Sequence, residues 1–145
     1  MEQTIEFKIP DGYIFDKDNS TENVIRFKPI KKTITYADII KELYSGNCYY
    51  INNNSTSWRH LQHLLALNKL MNVAKYLNGD WKPNWYNSTE TKWCLLFDNC
   101  KHKIAVSNWT ISHYGCVYFK SEKLAYQAVE ILGEKEVKKA LGIFE

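Results

Sequence analysis

A stretch with the period of a long α-helix is the feature that most limits how this chain can fold. Residues 58–77 carry apolar side chains three and four positions apart, which is the spacing of an amphipathic helix. Ser57 is placed to cap its start and Asn78-Gly79 to end it. The polar side opposite carries modest charge, so the pattern favours a helix in a protein core over one on a membrane surface. The predicted apolar face comprises Leu61, Leu64, Leu65, Leu67, Leu70, Met71, Ala74 and Leu77.

Alternating apolar and polar residues predict strands on both sides of this helix. Residues 5–9 and 24–28 alternate in this way, and we expect them to pair as an antiparallel ribbon. Residues 92–97 and 103–106 form a second predicted hairpin, and residues 117–119 a third strand beside it.

Capping signals predict three further helices. Thr35 followed by Asp38 has the spacing of a capping box, and Ser121 is placed to cap a helix that stops at Gly133. A last helix is expected over residues 134–141. Residues 48–57 are compatible with a brief strand or with a loop.

These elements predict one α+β domain over residues 1–145, an antiparallel sheet of hairpins packed against one long central helix and C-terminal helices. The composition agrees, because 45% hydrophobic and 24% charged residues are typical of a globular chain that buries a core.

The charge balance argues against a strong polyanion partner. The chain has 19 basic and 16 acidic residues, and the net charge of +3 also excludes a nucleic-acid mimic. Arg26 and Arg59 are its arginines, which disfavours sequence-specific readout of guanine. The start of the chain lacks the charged and apolar regions of a signal peptide, so we expect a cytoplasmic protein with free thiols.

No pattern of catalytic or metal-binding residues stands out. The four cysteines include no Cys-x-x-Cys pair, so structural cysteines are favoured over a metal site. The groups that could converge on a metal are Cys94, Cys100, His102, His113 and Cys116, or His60 with His63. Glycine-rich phosphate loops are also missing, and no closely spaced carboxylate pair suggests general acid/base catalysis. We therefore expect no enzyme, metal or cofactor, with Cys100 as the thiol in the most positive surroundings.

The connector after the long helix concentrates aromatic residues. Trp81, Trp85 and Tyr86 lie on it together with Lys82. Connectors are mostly exposed, so these aromatics either fold back as a lid on the core or contact a partner. The sequence leaves both alternatives open.

A basic segment and this connector together define the predicted partner-binding surface. A second set of cations, Lys92, Lys101, His102 and Lys103, surrounds the second hairpin. Aromatic residues beside a cationic groove are also typical of RNA and single-strand binding, which stays as an alternative. The predicted binding residues are Arg26, Lys28, Lys31, Lys32, Trp81, Lys82, Trp85 and Tyr86.

Four motifs, in this order and spacing, resemble small uncharacterised proteins of phages and prophages in the Bacteroidetes. They span most of the chain: Ile9-Pro10-Asp11-Gly12-Tyr13, Ile25-Arg26-Phe27-Lys28-Pro29, Gly79-Asp80-Trp81-Lys82-Pro83-Asn84-Trp85 and Phe119-Lys120-Ser121-Glu122-Lys123-Leu124-Ala125.

The resemblance implies a mobile-element origin and no active-site residues. Small phage proteins of this kind commonly inhibit a host machine, so it implies a protein of the bacterial cytoplasm that binds a host protein or ribonucleoprotein. Its sharpest form is an anti-CRISPR-like inhibitor of host defence. Residues 48–57 depart from the short loop that the resemblance implies and are a candidate partner-specific surface. A virion or structural accessory protein is a further alternative.

Overall fold

A computed structural model describes residues 8–30, 33–44, 57–110 and 117–144. The described chain divides into two compact units, Met1–Thr33 and Ile34–Glu145. The prediction of a single domain stays a prediction. Several sequence predictions fall outside the described residues, namely those for residues 5–7, Lys31, Lys32, residues 48–56, His113 and Cys116.

The N-terminal unit contains a two-stranded ribbon, but its strands differ from the predicted ones. β1 is Tyr13–Phe15 and β2 is Phe27–Pro29, and they pair antiparallel with Tyr13 opposite Pro29. Among the described residues of the predicted first strand, Lys8 and Ile9 are not in a strand. Pro29 ends the predicted second strand, yet the ribbon includes it. The hydrogen bond from Ile30 N to Gly12 O shows why, since it places Pro29 at a non-bonded pair that needs no N–H.

Asp16 organises the loop of this ribbon. It is buried, and its carboxylate accepts from Asn19 Nδ2 at 2.8 Å and contacts Lys28 Nζ at 3.4 Å. The Asn19 hydrogen bond lowers the pKa of Asp16 most, partial desolvation opposes it, and Lys28 lowers the pKa further. Large apolar side chains such as Tyr13 and Ile14 are exposed. In the described part of this unit, turn and polar contacts therefore contribute more than an apolar core.

The described part of the C-terminal unit has four helices, and three of them begin at the predicted capping residues. α1 is Tyr36–Leu43, α2 is Trp58–Asn78, α3 is Glu122–Leu132 and α4 is Glu134–Ala140. Thr35 forms both hydrogen bonds of a capping box with Asp38. The side chains of Ser57 and Ser121 accept from the backbone N–H groups of His60 and Leu124. Gly79, in the left-handed region at φ 60°, ends α2.

α2 is central because other helices pack on more than one of its sides: α1, α3 and α4 all contact it. Three residues of α2 therefore differ from the predicted pattern. Met71 is exposed, whereas Asn72 is buried between Tyr36, to which its Nδ2 donates at 3.0 Å, and the hydroxyl of Tyr44. Lys69, which is not part of the predicted apolar face, pairs with Glu136 of α4 at 2.5 Å. The core cluster consists of Ile39, Ala66, Leu70, Val73, Ala74, Leu95, Phe119, Ala125, Ala128, Val137 and Ala140.

The predicted second hairpin is confirmed. β3 is Lys92–Asp98 and β4 is Lys103–Trp109, paired antiparallel with Leu95 opposite Val106. The predicted third strand is reduced to one bridge, in which Phe119 exchanges two backbone hydrogen bonds with Trp93. Both strands contact α3, and β4 also contacts α4. The hairpin therefore covers the C-terminal helices, which in turn pack on α2.

The fold class is α+β, as the sequence predicts, with four helices and two small antiparallel sheets among the described residues. In that same part of the chain, no helix combines the length and the apolar character needed to cross a membrane.

Candidate recognition loop

The aromatic connector, residues 79–91, joins the end of α2 to the start of β3. It has no regular secondary structure, and side-chain hydrogen bonds hold most of its path. Trp81 N donates to Asn78 O at 3.2 Å, which continues the chain out of the helix end. Residues 84–90, named the 84–90 loop here, then fold over the beginning of β3.

Glu90 ties the two ends of this loop together. Its carboxylate accepts from Trp81 Nε1 at 3.1 Å and from Asn84 N at 2.7 Å, and it lies 3.3 Å from Lys92 Nζ. The Asn84 N–H lowers the pKa of Glu90 most; partial desolvation acts against this, and Lys92 and Trp81 lower the pKa further. One carboxylate thus fixes a tryptophan, a backbone amide and a lysine.

Lys92 is the buried anchor of the loop, with 0% of its side chain exposed. Its ammonium donates to the carbonyl oxygens of Glu90 at 2.9 Å, Asn87 at 3.0 Å and Thr110 at 3.4 Å. It also lies 5.2 Å from the centre of the Trp85 ring. Three carbonyls, a carboxylate and an aromatic face replace the water that a buried ammonium loses. The loop backbone is therefore wrapped around a charge that belongs to β3.

Trp85 folds back onto the unit instead of pointing outwards. Its ring meets that of Tyr118 edge to face, with centroids 4.9 Å apart and planes at 73°. Tyr118 is itself fixed, because its carbonyl oxygen accepts from Asn78 Nδ2 at 2.8 Å. Trp85 and Trp81 are both half-buried. These two tryptophans thus cover the end of α2 and the start of β3.

Tyr86 points the other way and is wholly exposed. Its backbone is nevertheless held, because Tyr86 N donates to Asn84 Oδ1 at 3.0 Å. On its other side Asn87 Oδ1 accepts from Thr89 N at 3.0 Å and from Thr89 Oγ1 at 2.8 Å. The three predicted aromatics therefore separate into two anchored tryptophans and one outward tyrosine on an ordered loop.

The predicted basic residues are not all on this connector. Lys82 is exposed beside Trp81, whereas Arg26 and Lys28 belong to the N-terminal unit. Arg26 is exposed, and Lys28 pairs with Asp16 at 3.4 Å and Asp18 at 3.8 Å. A binding surface that joins these cations to the aromatics stays a prediction.

The cationic set predicted around the second hairpin needs a correction at Lys92. Its complete burial removes it from any surface groove, while Lys101, His102 and Lys103 are exposed. Lys101 Nζ lies 3.8 Å from Asp98, which offsets part of the positive charge near Cys100. The described hairpin thus presents less positive charge than its sequence suggests.

The cysteine and histidine side chains of the described residues do not lie together in a potential metal site. Cys94 is buried, which raises the pKa of its thiol, and Cys100 is exposed in the β3–β4 turn. His63 Nδ1 lies 2.8 Å from Lys139 O. Because a carbonyl oxygen can only accept a hydrogen bond, Nδ1 is the protonated donor of this pair. Within residues 8–30, 33–44, 57–110 and 117–144, no three His, Cys, Asp or Glu side chains could share a metal ion.

The sequence prediction missed Glu90, and it named Lys92 as a surface cation and so missed its buried role. A signal for Lys92 was present in the alternation of β3, since it shares a strand face with Cys94, which is buried as well. Glu90 offered no comparable signal, because its partners, Trp81 and Asn84, meet it only when the connector turns back.

Acid should loosen this connector through Glu90. A lowered carboxylate pKa adds stability that is complete above the ordinary value of 4.5 and is lost as the pH falls through the lowered pKa. We expect Glu90→Gln to be less stable near neutral pH and to depend less on pH below about 4.5. Denaturant unfolding of both proteins across this range measures the difference. Asp16 and Glu136 also have lowered pKa values, but they act equally in both proteins. If the free energies of unfolding of the two proteins changed with pH in parallel, the Glu90 carboxylate would not stabilise the connector.

Comparison with known proteins adds no relative, since no family model, no curated protein and no solved structure matches this chain.

Proposed function

We propose that this chain is a non-enzymatic binding protein that inhibits a host protein or ribonucleoprotein, with the 84–90 loop as its contact element. The observation that carries the proposal is the wholly exposed Tyr86 on a loop tied down by Glu90 and Lys92. A loop that is already ordered loses little conformational entropy on binding, and tyrosine is among the residues most enriched at interface hot spots.

The side chains around Tyr86 favour a protein surface over a nucleic acid. Asn84, Asn87, Ser88 and Thr89 are exposed beside it. A tyrosine among asparagine, serine and threonine resembles the composition of antibody loops, which bind folded surfaces. A protein that binds along a nucleic-acid strand needs several cations to contact successive phosphates. The described connector, residues 79–91, has a single exposed cation, Lys82, which does not meet this need.

The resemblance to phage and prophage proteins supplies the inhibitory part of the proposal. A small phage protein that inhibits a host machine acts by occupying a surface, and the geometry of the 84–90 loop suits such contact. The specific form, an anti-CRISPR-like inhibitor in the bacterial cytoplasm, rests on that resemblance alone.

Affinity capture with a matched variant tests this function. Purified protein and its Tyr86→Ala variant are incubated with host lysate, with and without RNase, and captured proteins are identified by mass spectrometry. We expect one protein or ribonucleoprotein at near-stoichiometric level with the wild type and at least about tenfold less with Tyr86→Ala.

Two controls make the capture experiment decisive. Ser88→Ala changes a neighbouring exposed side chain on the same loop and should retain the captured protein. RNase treatment distinguishes two kinds of target. A protein that binds directly is still captured after RNase, whereas a protein held through a bridging RNA is lost. Equal capture by wild type and Tyr86→Ala would refute the loop as the contact element, and no specific capture would refute the function.

A further inference from the structure

The outer edge of β4 carries backbone groups whose direction follows from the hydrogen bonds of β3. Trp93 exchanges both backbone hydrogen bonds with Phe119, so its N–H and C=O point away from β4. In a strand these groups alternate in direction, which makes Trp93 opposite Asn108 a non-bonded pair of the β3–β4 ladder. Asn108 therefore directs its own N–H and C=O outwards. By the same alternation, so do Val106 and Ile104.

These outward groups meet no partner in the described part of the chain. No hydrogen bond among residues 8–30, 33–44, 57–110 and 117–144 reaches the outward N–H or C=O of Ile104, Val106 or Asn108. The strand also lacks the usual features that block pairing at an edge. It contains no proline, its register runs without a bulge, and its one charge, Lys103, lies at its end. An edge of this kind is a template for another strand.

We propose that this edge joins two copies of the chain, with β4 pairing antiparallel to β4 of the second copy about a two-fold axis at Val106. Ile104 of each copy then lies opposite Asn108 of the other, so every outward group meets an outward group. The three pairs exchange about six hydrogen bonds and convert two hairpins into one four-stranded sheet.

The sequence of β4 is compatible with pairing to itself in this register. Lys103, its charged residue, falls opposite Trp109 of the second copy, which favours a cation beside an aromatic ring and avoids contact between like charges. Ala105 falls opposite Ser107, and both are small. This self-complementarity is why the occupant is a second copy and not an unrelated strand. A seven-residue strand buries less area than a standard stable interface, so the dimer is reversible and depends on concentration.

Sedimentation velocity across concentrations, with paired variants, tests the dimer. Asn108→Pro removes an outward N–H and places a ring on the edge, but it leaves the inner ladder intact because Asn108 does not bond to β3. Asn108→Ala keeps the N–H and is the matched control. We expect wild type and Asn108→Ala to dimerise alike between about 5 and 500 μM, and Asn108→Pro to weaken the dimer at least about tenfold, since the symmetry applies the change twice.

Amide exchange supplies a readout that needs no variant. The amides of Ile104, Val106 and Asn108 should exchange quickly in dilute wild-type protein and slow at high concentration, while the inward amides of Ala105 and Ser107 stay protected throughout. A wild type that remains monomeric across the range overturns the proposal. A dimer that forms without slowing the three outward amides overturns it as well, because its interface would lie elsewhere.

Discussion

Replacing Lys92 with methionine should lower the free energy of unfolding by about 3 kcal/mol or more, and the melting temperature by about 10 °C. Methionine keeps most of the volume and removes the ammonium. The carbonyl oxygens of Glu90 and Thr110 then lose the ammonium as a donor, and Asn87 O keeps only the longer hydrogen bond from Glu90 N at 3.4 Å. A partly buried acceptor that loses its donor costs free energy. The cation also disappears from the face of Trp85. Thermal and denaturant unfolding of purified protein measure the loss.

Lys82→Met is the matched control for this prediction. Lys82 lies on the same connector but is exposed, so the same chemical change should alter stability by no more than about 0.5 kcal/mol. If Lys92→Met were as stable as Lys82→Met and the wild type, the ammonium of Lys92 would not be the anchor of the 84–90 loop. Equal and large losses would instead point to a general effect of methionine on this connector.

Local sequence signals predicted the helices well because the interactions that set them are local. The capping box of Thr35 and Asp38 and the cap at Ser121 each involve residues three positions apart. The β3–β4 hairpin follows from alternation and a short turn, in which Asp98 Oδ1 accepts from Cys100 N at 2.9 Å and Lys101 N at 3.1 Å. Such patterns do not depend on the rest of the fold.

The parts that the sequence did not predict depend on partners far along the chain. The sequence pattern of α2 predicts Asn72 on its exposed polar side. Asn72 is buried instead because two tyrosine hydroxyls hydrogen-bond to it, that of Tyr36 in α1 and that of Tyr44 directly after α1. From the sequence alone Lys92 is expected to be a surface cation. In the structure one of the acceptors that allow its burial is the carbonyl of Thr110, 18 positions along the chain. A polar residue is read as exposed unless its distant hydrogen-bond partners are known.

The N-terminal ribbon shows a different kind of limit. Alternation over residues 24–28 was real, but the paired strand is Phe27–Pro29, because proline is tolerated where its nitrogen faces away from the ladder. Whether a proline fits in a paired strand depends on whether its position donates a hydrogen bond to the neighbouring strand. The sequence of one strand does not show which of its positions do so. The alternatives of lid and partner contact for the connector were undecidable for the same reason. Tyr118, on which Trp85 rests, is 33 positions further along the chain.

Trp85→Ala should lower the free energy of unfolding, whereas Tyr86→Ala should leave it nearly unchanged, although the two residues are neighbours. Trp85 packs against Tyr118 and covers the ammonium of Lys92, so its truncation should cost about 2–3 kcal/mol, below the range for a fully buried tryptophan. Tyr86 has no side chain surface buried in the fold, and its truncation should stay within about 0.5 kcal/mol. Denaturant unfolding, followed by far-ultraviolet circular dichroism so that the lost tryptophan does not alter the signal, measures both.

The two variants together separate a lid from a contact residue. Stability lost at Trp85 and kept at Tyr86 assigns the first to folding and shows that the second is not needed for the fold. A loss of captured protein with Tyr86→Ala would then report on binding alone. Tyr118→Ala checks the first assignment: Tyr118 is buried, so its loss should be at least as large as that of Trp85→Ala, and the double variant should cost less than the sum of the two. If Trp85→Ala were as stable as wild type, Trp85 would rejoin Tyr86 as a surface residue, and the contact element would be larger than the single tyrosine.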